Sequence, residues 1–267
     1  MVNARIGVLG ADGRMGRAIV RAIAANPGAM LAAAVERAGS PALGQDAGIV
    51  AGVGARGVLI QEGLPHKGVA QVWVDFSVPA ASLTAAQAAA AGGVAMVIGT
   101  TGFSAAQKAD LAVAAREVPI VFAANTSVGV NVLLKTVGDV ARALGPAYDL
   151  EIVETHHRNK RDAPSGTALR LAEALAEATK RDLAATARYE RHGEIGARTD
   201  GEIGIQAIRG GDVIGDHTVF FLGNGERIEI THRATSRDTF AHGAVRAALW
   251  VERQMPGLYD FRDVLGL

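Results

Sequence analysis

The chain has no cysteine, only 4% aromatic residues and no excess of either charge, with 27 Lys and Arg against 27 Asp and Glu. Without cysteine there is no disulfide framework, no thiolate nucleophile and no Cys-ligated metal. That lack predicts a protein of a reducing compartment, the cytoplasm. Zero net charge removes the general attraction to nucleic acid or an anionic membrane, so neither is expected as a partner. Any anion site must then be a local concentration of positive charge. No uninterrupted apolar run reaches the ~20 residues of a membrane span, and the opening MVNARIGVLG shows no separate signal-peptide core.

What is present is apolar bulk and glycine. Hydrophobic residues make up 49% of 267 positions, enough for a sizeable core, and the 33 glycines exceed the usual ~7%. At ~150 residues per domain the length predicts one large domain or two modest ones. Short apolar runs at 5–9, 31–36, 58–60, 72–76, 94–98 and 120–122 read as buried strands. Amphipathic or alanine-rich stretches at 14–25, 80–91 and 105–117 read as helices, the last opened by a capping box of Ser104 and Gln107. Repeated βα units predict a doubly wound parallel sheet with helices on both faces, the Rossmann-like α/β class. After Ser127 the pattern changes: helices over 128–144 and 168–180, a strand over 150–153, then consecutive strands from Ile203 to Thr231. Gly223-Asn224-Gly225-Glu226 marks a hairpin within them. This second region is expected to be an α+β domain with a mixed sheet. A helix over 238–254 is expected to pack back on the first domain.

Gly10-Ala11-Asp12-Gly13-Arg14-Met15-Gly16 follows the first strand and opens the first helix. Glycines there permit a tight turn and let a pyrophosphate approach the amides at the helix start, with Arg14 as an added cation. Glu36 ends the second strand, 20 residues after Gly16, where an acidic residue accepts hydrogen bonds from an adenosine ribose. Arg37 beside it suits a 2′-phosphate, so NADH and NADPH both stay open. Gly99-Thr100-Thr101 and Ala123-Ala124-Asn125-Thr126 lie just past later strands, where small residues suit the nicotinamide end. Taken singly, each of these loops is equally an ordinary turn.

The segment Glu154–Thr167 holds two of the seven histidines, with Arg158, Lys160 and Arg161. In a neutral chain this is the local positive concentration. Ser165 suits the N-cap of a helix beginning at Gly166, so the amides of Gly166 and Thr167 would face outward toward an anion. The grouping predicts a small anionic substrate meeting Lys160 and a histidine, a carboxylate in preference to a phosphate because a second phosphate cradle would be richer in glycine. Histidine is also the side chain best matched to proton transfer near neutrality. No metal is expected, since adjacent histidines on a strand point to opposite faces and no third ligand has supporting spacing.

Together with GADGRMG these residues carry a resemblance. The blocks VIGTTGF (97–103), VFAANTSVGVN (121–131), ETHHRNKRDAPSGTA (154–168), RGGDVIGDHT (209–218) and ERIEITHRATSR (226–237) resemble the dihydrodipicolinate reductase (4-hydroxy-tetrahydrodipicolinate reductase) family over essentially the whole chain. The resemblance implies a dinucleotide-binding domain over 1–127 with 240–267 packing on it, and a substrate-binding and oligomerisation domain over 128–239. It implies NADPH or NADH held by Gly10, Ala11, Asp12, Gly13, Arg14, Met15, Glu36, Arg37, Gly99, Thr100, Thr101, Ala123, Ala124, Asn125 and Thr126. His156 is implied as proton donor and Lys160 as second catalytic residue, with His157, Gly166 and Thr167 holding a dicarboxylate. A homotetramer is implied as well. The alternatives are another imine or amino-acid dehydrogenase on the same plan, or a nucleotide-sensing module. Neither has reason to combine His156, Lys160 and the Ser165-Gly166-Thr167 helix start.

Overall fold

The computed structural model describes residues 3–63 and 68–267. In chain order the elements are β1 (Ala4–Leu9), α1 (Arg14–Ala24), β2 (Ala29–Glu36), α2 (Ala47–Ala51), β3 (Ile60–Glu62), β4 (Val72–Asp75), α3 (Pro79–Gly92), β5 (Ala95–Ile98), α4 (Ala105–Ala114) and β6 (Pro119–Phe122). They continue as α5 (Val128–Leu144), β7 (Asp149–His156), α6 (Gly166–Thr179), α7 (Leu183–Thr186), β8 (Ala187–Arg188), β9 (Ile203–Arg209), β10 (Gly215–Leu222), β11 (Arg227–Ala234), α8 (Asp238–Val251), β12 (Gly257–Tyr259) and α9 (Phe261–Leu265). The chain divides into two compact units, one of residues 1–128 with 238–267, the other of 129–237.

The first unit is a parallel sheet of seven strands in the order β12-β6-β5-β4-β1-β2-β3. Both faces are buried, which is why its strands read as continuous apolar runs. Val72, Val74, Val97 and Val121 join one core with α1 and α8, while Trp73, Met96, Ile98 and Ile120 join the other with α3 and α4. Each fully buried Val or Ile contributes about 1.5–3 kcal/mol of transfer free energy. Gly7 faces Trp73 across β1 and β4, and a Cβ at Gly7 would stand 2.2 Å from the indole ring. The expected strand at 58–60 is displaced to β3. Asp46 gathers the amides of Arg56 and Gly57 at 3.0 and 2.7 Å, and Leu59 forms an isolated bridge with Asp46, so pairing with β2 starts only at Ile60.

In the second unit five strands run β11-β10-β7-β9-β8, antiparallel at β11-β10-β7 and parallel beyond. The β10–β11 hairpin closes at Gly223–Glu226, where Gly225 at φ +84° takes the left-handed conformation that side chains disfavour. Helices α5 and α6 pack on one face, burying Leu133, Val137, Leu171 and Leu175 against Ile152, Val219 and Phe221. β7 runs three residues past the expected 150–153. Glu154 and His156 continue the inward-facing alternation of Leu150 and Ile152, and they are admitted to the interior because polar partners await them there. No described helix is long and apolar enough to cross a membrane.

Candidate active site

In the first unit strand order reverses on either side of β1, and the loops after β1, β2, β4, β5 and β6 leave from the carboxyl edge of the sheet, where open α/β sheets bind ligands. Gly10 is at φ +68°, and a Cβ on Gly16 would lie 2.1 Å from the Gly10 carbonyl, so the turn closes onto α1 only with glycine at both places. The N-cap of α1 is Gly13, and no side chain caps that helix. By contrast α4, α6 and α9 are closed by Ser104, Ser165 and Asp260. A cradle of glycine backbone at an uncapped helix start fits a pyrophosphate.

Glu36 accepts from the amides of Asp12 (3.0 Å) and Arg37 (3.0 Å), tying the end of β2 to the glycine turn. Each carboxylate oxygen keeps a lone pair for a ribose hydroxyl. Arg14 is exposed on the first turn of α1, and Met15 packs partly into the core behind it. The hydroxyl of Thr100 points inward, within reach of the buried Asp75 (3.4 Å) and accepting from Ser82 (2.9 Å), so only its backbone can meet a ligand. Burial pushes the Asp75 carboxyl above its ordinary value, against hydrogen bonds from Ser77, Ser82 and Thr100. Thr126 is likewise buried, its hydroxyl donating to the Phe240 carbonyl at 2.7 Å. Asn125 Oδ1 accepts from the Ser127 amide at 2.8 Å, while Thr101 and Ala124 are exposed.

In the second unit His156, Ser165 and Arg209 converge on one carboxylate. Glu154, with no exposed surface, accepts from Arg209 through both guanidinium nitrogens, at 2.8 Å (Oε2) and 2.7 Å (Oε1). It also meets His156 Nδ1 at 2.6 Å (Oε2) and the Ser165 amide at 3.0 Å (Oε1). Burial opposes ionisation of Glu154, but Arg209, His156 and the Ser165 amide outweigh it and hold the carboxyl below its usual range. Burial pushes the His156 imidazole down, while Glu154 pulls it back up. His217 lies edge-to-face with His156, centroids 5.2 Å apart, and its Nε2 is 3.1 Å from Ser165 Oγ. Burial pushes His217 to about 4, so it is neutral at physiological pH.

The expected cap is present: Ser165 Oγ accepts from the Ala168 amide at 3.2 Å. Gly166 is exposed with open space above its α-carbon, and Thr167 follows it, half-buried. Lys160 Nζ donates to Asp162 at 2.9 Å, and His157 Nδ1 is buried without a partner. Thus His156 and the Ser165-capped start of α6 are joined through Glu154, with Lys160 on the connecting loop. Arg158 and Arg161 are exposed. Sequence reading did not single out Glu154, Arg209 or His217. The available signal was the two-residue spacing of Glu154 and His156 on the inward face of a strand; Arg209 lies 55 residues from Glu154 and carries no local mark.

A nucleotide-type parallel sheet with an open glycine cradle, in one chain with a mixed sheet bearing a histidine, carboxylate and arginine cluster, defines the nicotinamide-dependent oxidoreductase class. Family models described as dihydrodipicolinate reductase, N-terminus and C-terminus, match residues 4–126 and 129–265, and the chain belongs to that family. It is 56% identical over 264 residues to the 4-hydroxy-tetrahydrodipicolinate reductase of Anaeromyxobacter dehalogenans, covering 98% of both chains. To the protein of that name from Thiobacillus denitrificans it is 53% identical over the full length of both. Its fold resembles a dipicolinate-bound dihydrodipicolinate reductase from Paenisporosarcina sp. TG-14, with a TM-score of 0.75, 24% identity, and coverage of 97% of this chain and 98% of that one.

Proposed function

We propose that the protein reduces 4-hydroxy-tetrahydrodipicolinate, by way of dihydrodipicolinate, to tetrahydrodipicolinate in the diaminopimelate route to lysine. The observation that carries this reading is the His156–Glu154–Arg209 cluster beside the capped start of α6, in a chain 56% identical to a reductase of that name.

In this reading the first unit holds NADPH or NADH. Gly10, Ala11, Asp12, Gly13, Arg14 and Met15 cradle the pyrophosphate, with Glu36 and Arg37 at the adenosine ribose. The loops Gly99–Thr101 and Ala123–Thr126 line the nicotinamide end, Thr100 and Thr126 through backbone. When bound, the reduced nicotinamide supplies the hydride for a ring carbon of the cyclic imine.

The second unit holds the ring. Its two carboxylates fall to His157, Gly166 and Thr167, where a helix start favours negative charge. Lys160, kept in place by Asp162, adds a cation and serves as second catalytic residue. His156, as imidazolium, gives the proton that the ring needs at the carbon next to the one reduced, and water is lost from the hydroxylated precursor. The reading includes a cytoplasmic homotetramer. In its support, the face of the second sheet opposite α5 and α6 carries half-buried Val153, Thr218 and Phe220.

The test is NADPH and NADH absorbance in the presence of enzymatically generated substrate. Oxidation by the native chain, reduced about 100-fold or more in His156→Ala and Lys160→Ala, is expected. Cofactor binding without oxidation would overturn the reductase reading in favour of a nucleotide sensor.

A further inference from the structure

We propose that Glu154 is a positioning residue for both halves of the substrate site: one carboxylate fixes which nitrogen of His156 is protonated and docks the start of α6. This rests on the reductase reading above.

The geometry leaves Glu154 one role toward the imidazole. Paired with the Arg209 fork, the carboxylate is ionised and can only accept. At 2.6 Å its Oε2 therefore requires the proton of neutral His156 on Nδ1. That leaves Nε2 as the nitrogen that gains and gives the catalytic proton. Space beside Nε2 is kept by Gly215, where a Cβ would lie 3.0 Å from it.

Oε1 of the same group accepts the Ser165 amide at 3.0 Å. Ser165 in turn caps α6 through Ala168 and contacts His217 through its hydroxyl. The chain from imidazole to helix start is thus continuous: His156, Glu154, Ser165, Ala168. A group that orients the acid also sets where Gly166 and Thr167 stand, so proton donor and carboxylate seat share one reference point.

The charged and titratable groups around His156 come from every neighbouring element: Glu154 on its own strand, Arg209 on β9, neutral His217 on β10, and Lys160, paired with Asp162, on the following loop. Of the fixed charges that act on it, Glu154 favours the protonated ring, whereas Lys160 and Arg209 disfavour it. Removing the carboxylate charge therefore shifts proton donation to lower pH.

The first measurement needs no substitution at Glu154. Nitrogen-15 spectra of histidine-labelled native chain, with the His156 signals assigned by their loss in His156→Asn, are expected to show the neutral Nδ1–H form. A neutral Nε2–H form overturns the proposal. Glu154→Gln, which keeps the shape and removes the charge, is then expected to make the Nε2–H form detectable. It should also move the alkaline limb of the kcat profile down by ~1–2 pH units and raise KM for the dicarboxylate, with KM for NADPH unchanged. A fall in kcat with tautomer and limb both unmoved sinks the idea, because a merely structural residue would act that way. The spectra do not depend on turnover: a native chain that shows the Nδ1–H form yet oxidises no NADPH removes the reductase reading and leaves the positioning intact.

Discussion

The carbonyl of Thr126 rests against the α-carbon of Gly243, so close that a Cβ there would lie 1.7 Å from the oxygen. The carbonyl has little room to retreat, since Thr126 is fully buried and its hydroxyl is tied to Phe240. Gly243→Ala is therefore expected to destabilise the first unit by about 2 kcal/mol and to weaken NADPH binding through the displaced 123–126 loop. Urea denaturation and cofactor titration read the two effects. An unchanged midpoint would mean that α8 yields without cost.

His217 sets a pH dependence of stability. Its folded-state value is about 4, against 6.5 for the free side chain. Above the free value neither folded nor unfolded chain carries the proton, and His217 costs nothing. Between those two values the unfolded chain takes up a proton that the folded one refuses. Stability is thus retained above about pH 6.5 and lost toward pH 4, by up to about 3 kcal/mol. His217→Gln should flatten this part of the stability curve, measured by denaturant midpoints across that window. A slope of native size in the variant would show that another group is responsible.

A third expectation concerns Gly204, which faces Glu151 across β7 and β9. A Cβ there would fall 1.8 Å from Glu151 Oε2. Glu151 anchors the 189–202 segment, accepting both guanidinium nitrogens of Arg191 at 2.8 Å and Arg198 Nε at 3.2 Å. Gly204→Ala should displace the carboxylate and loosen that segment. Trypsin cleavage after Arg191 or Arg198, followed by mass spectrometry, is expected to accelerate about tenfold. Native-like resistance would show that the remaining contacts to Asp149 and Glu202 hold the segment alone.

Much of this was readable from local pattern. The helix over 128–144, the Ser104–Gln107 box and the turn at Gly223–Glu226 carry their signals within a few residues, because capping and turn geometry are short-range. The parallel sheet was readable from its doubly buried strands. Other features depend on contacts far apart in the chain. Nothing near Glu154 announces Arg209, and polar Glu154 and His156 end an apolar run even though the strand continues. The inward turn of the Thr100 hydroxyl depends on Ser82 and Asp75, which belong to other elements. β12, three residues at a sheet edge, is too short for periodicity to mark.

The course of the chain also fixes an order of events during synthesis. Residues 129–237 form a continuous unit, whereas the first unit needs α8 between 238 and 251 and β12, which pairs with β6 from Gly257 onward. The middle unit has its whole sequence once residue 237 is made, whereas the first unit waits on the order of seconds longer for α8 and β12. Until then Val97 and Val121 lack the α8 side chains that complete their core. The nascent chain therefore carries an uncovered apolar sheet face longest in the half that was made first, and that face is where a chaperone would find it.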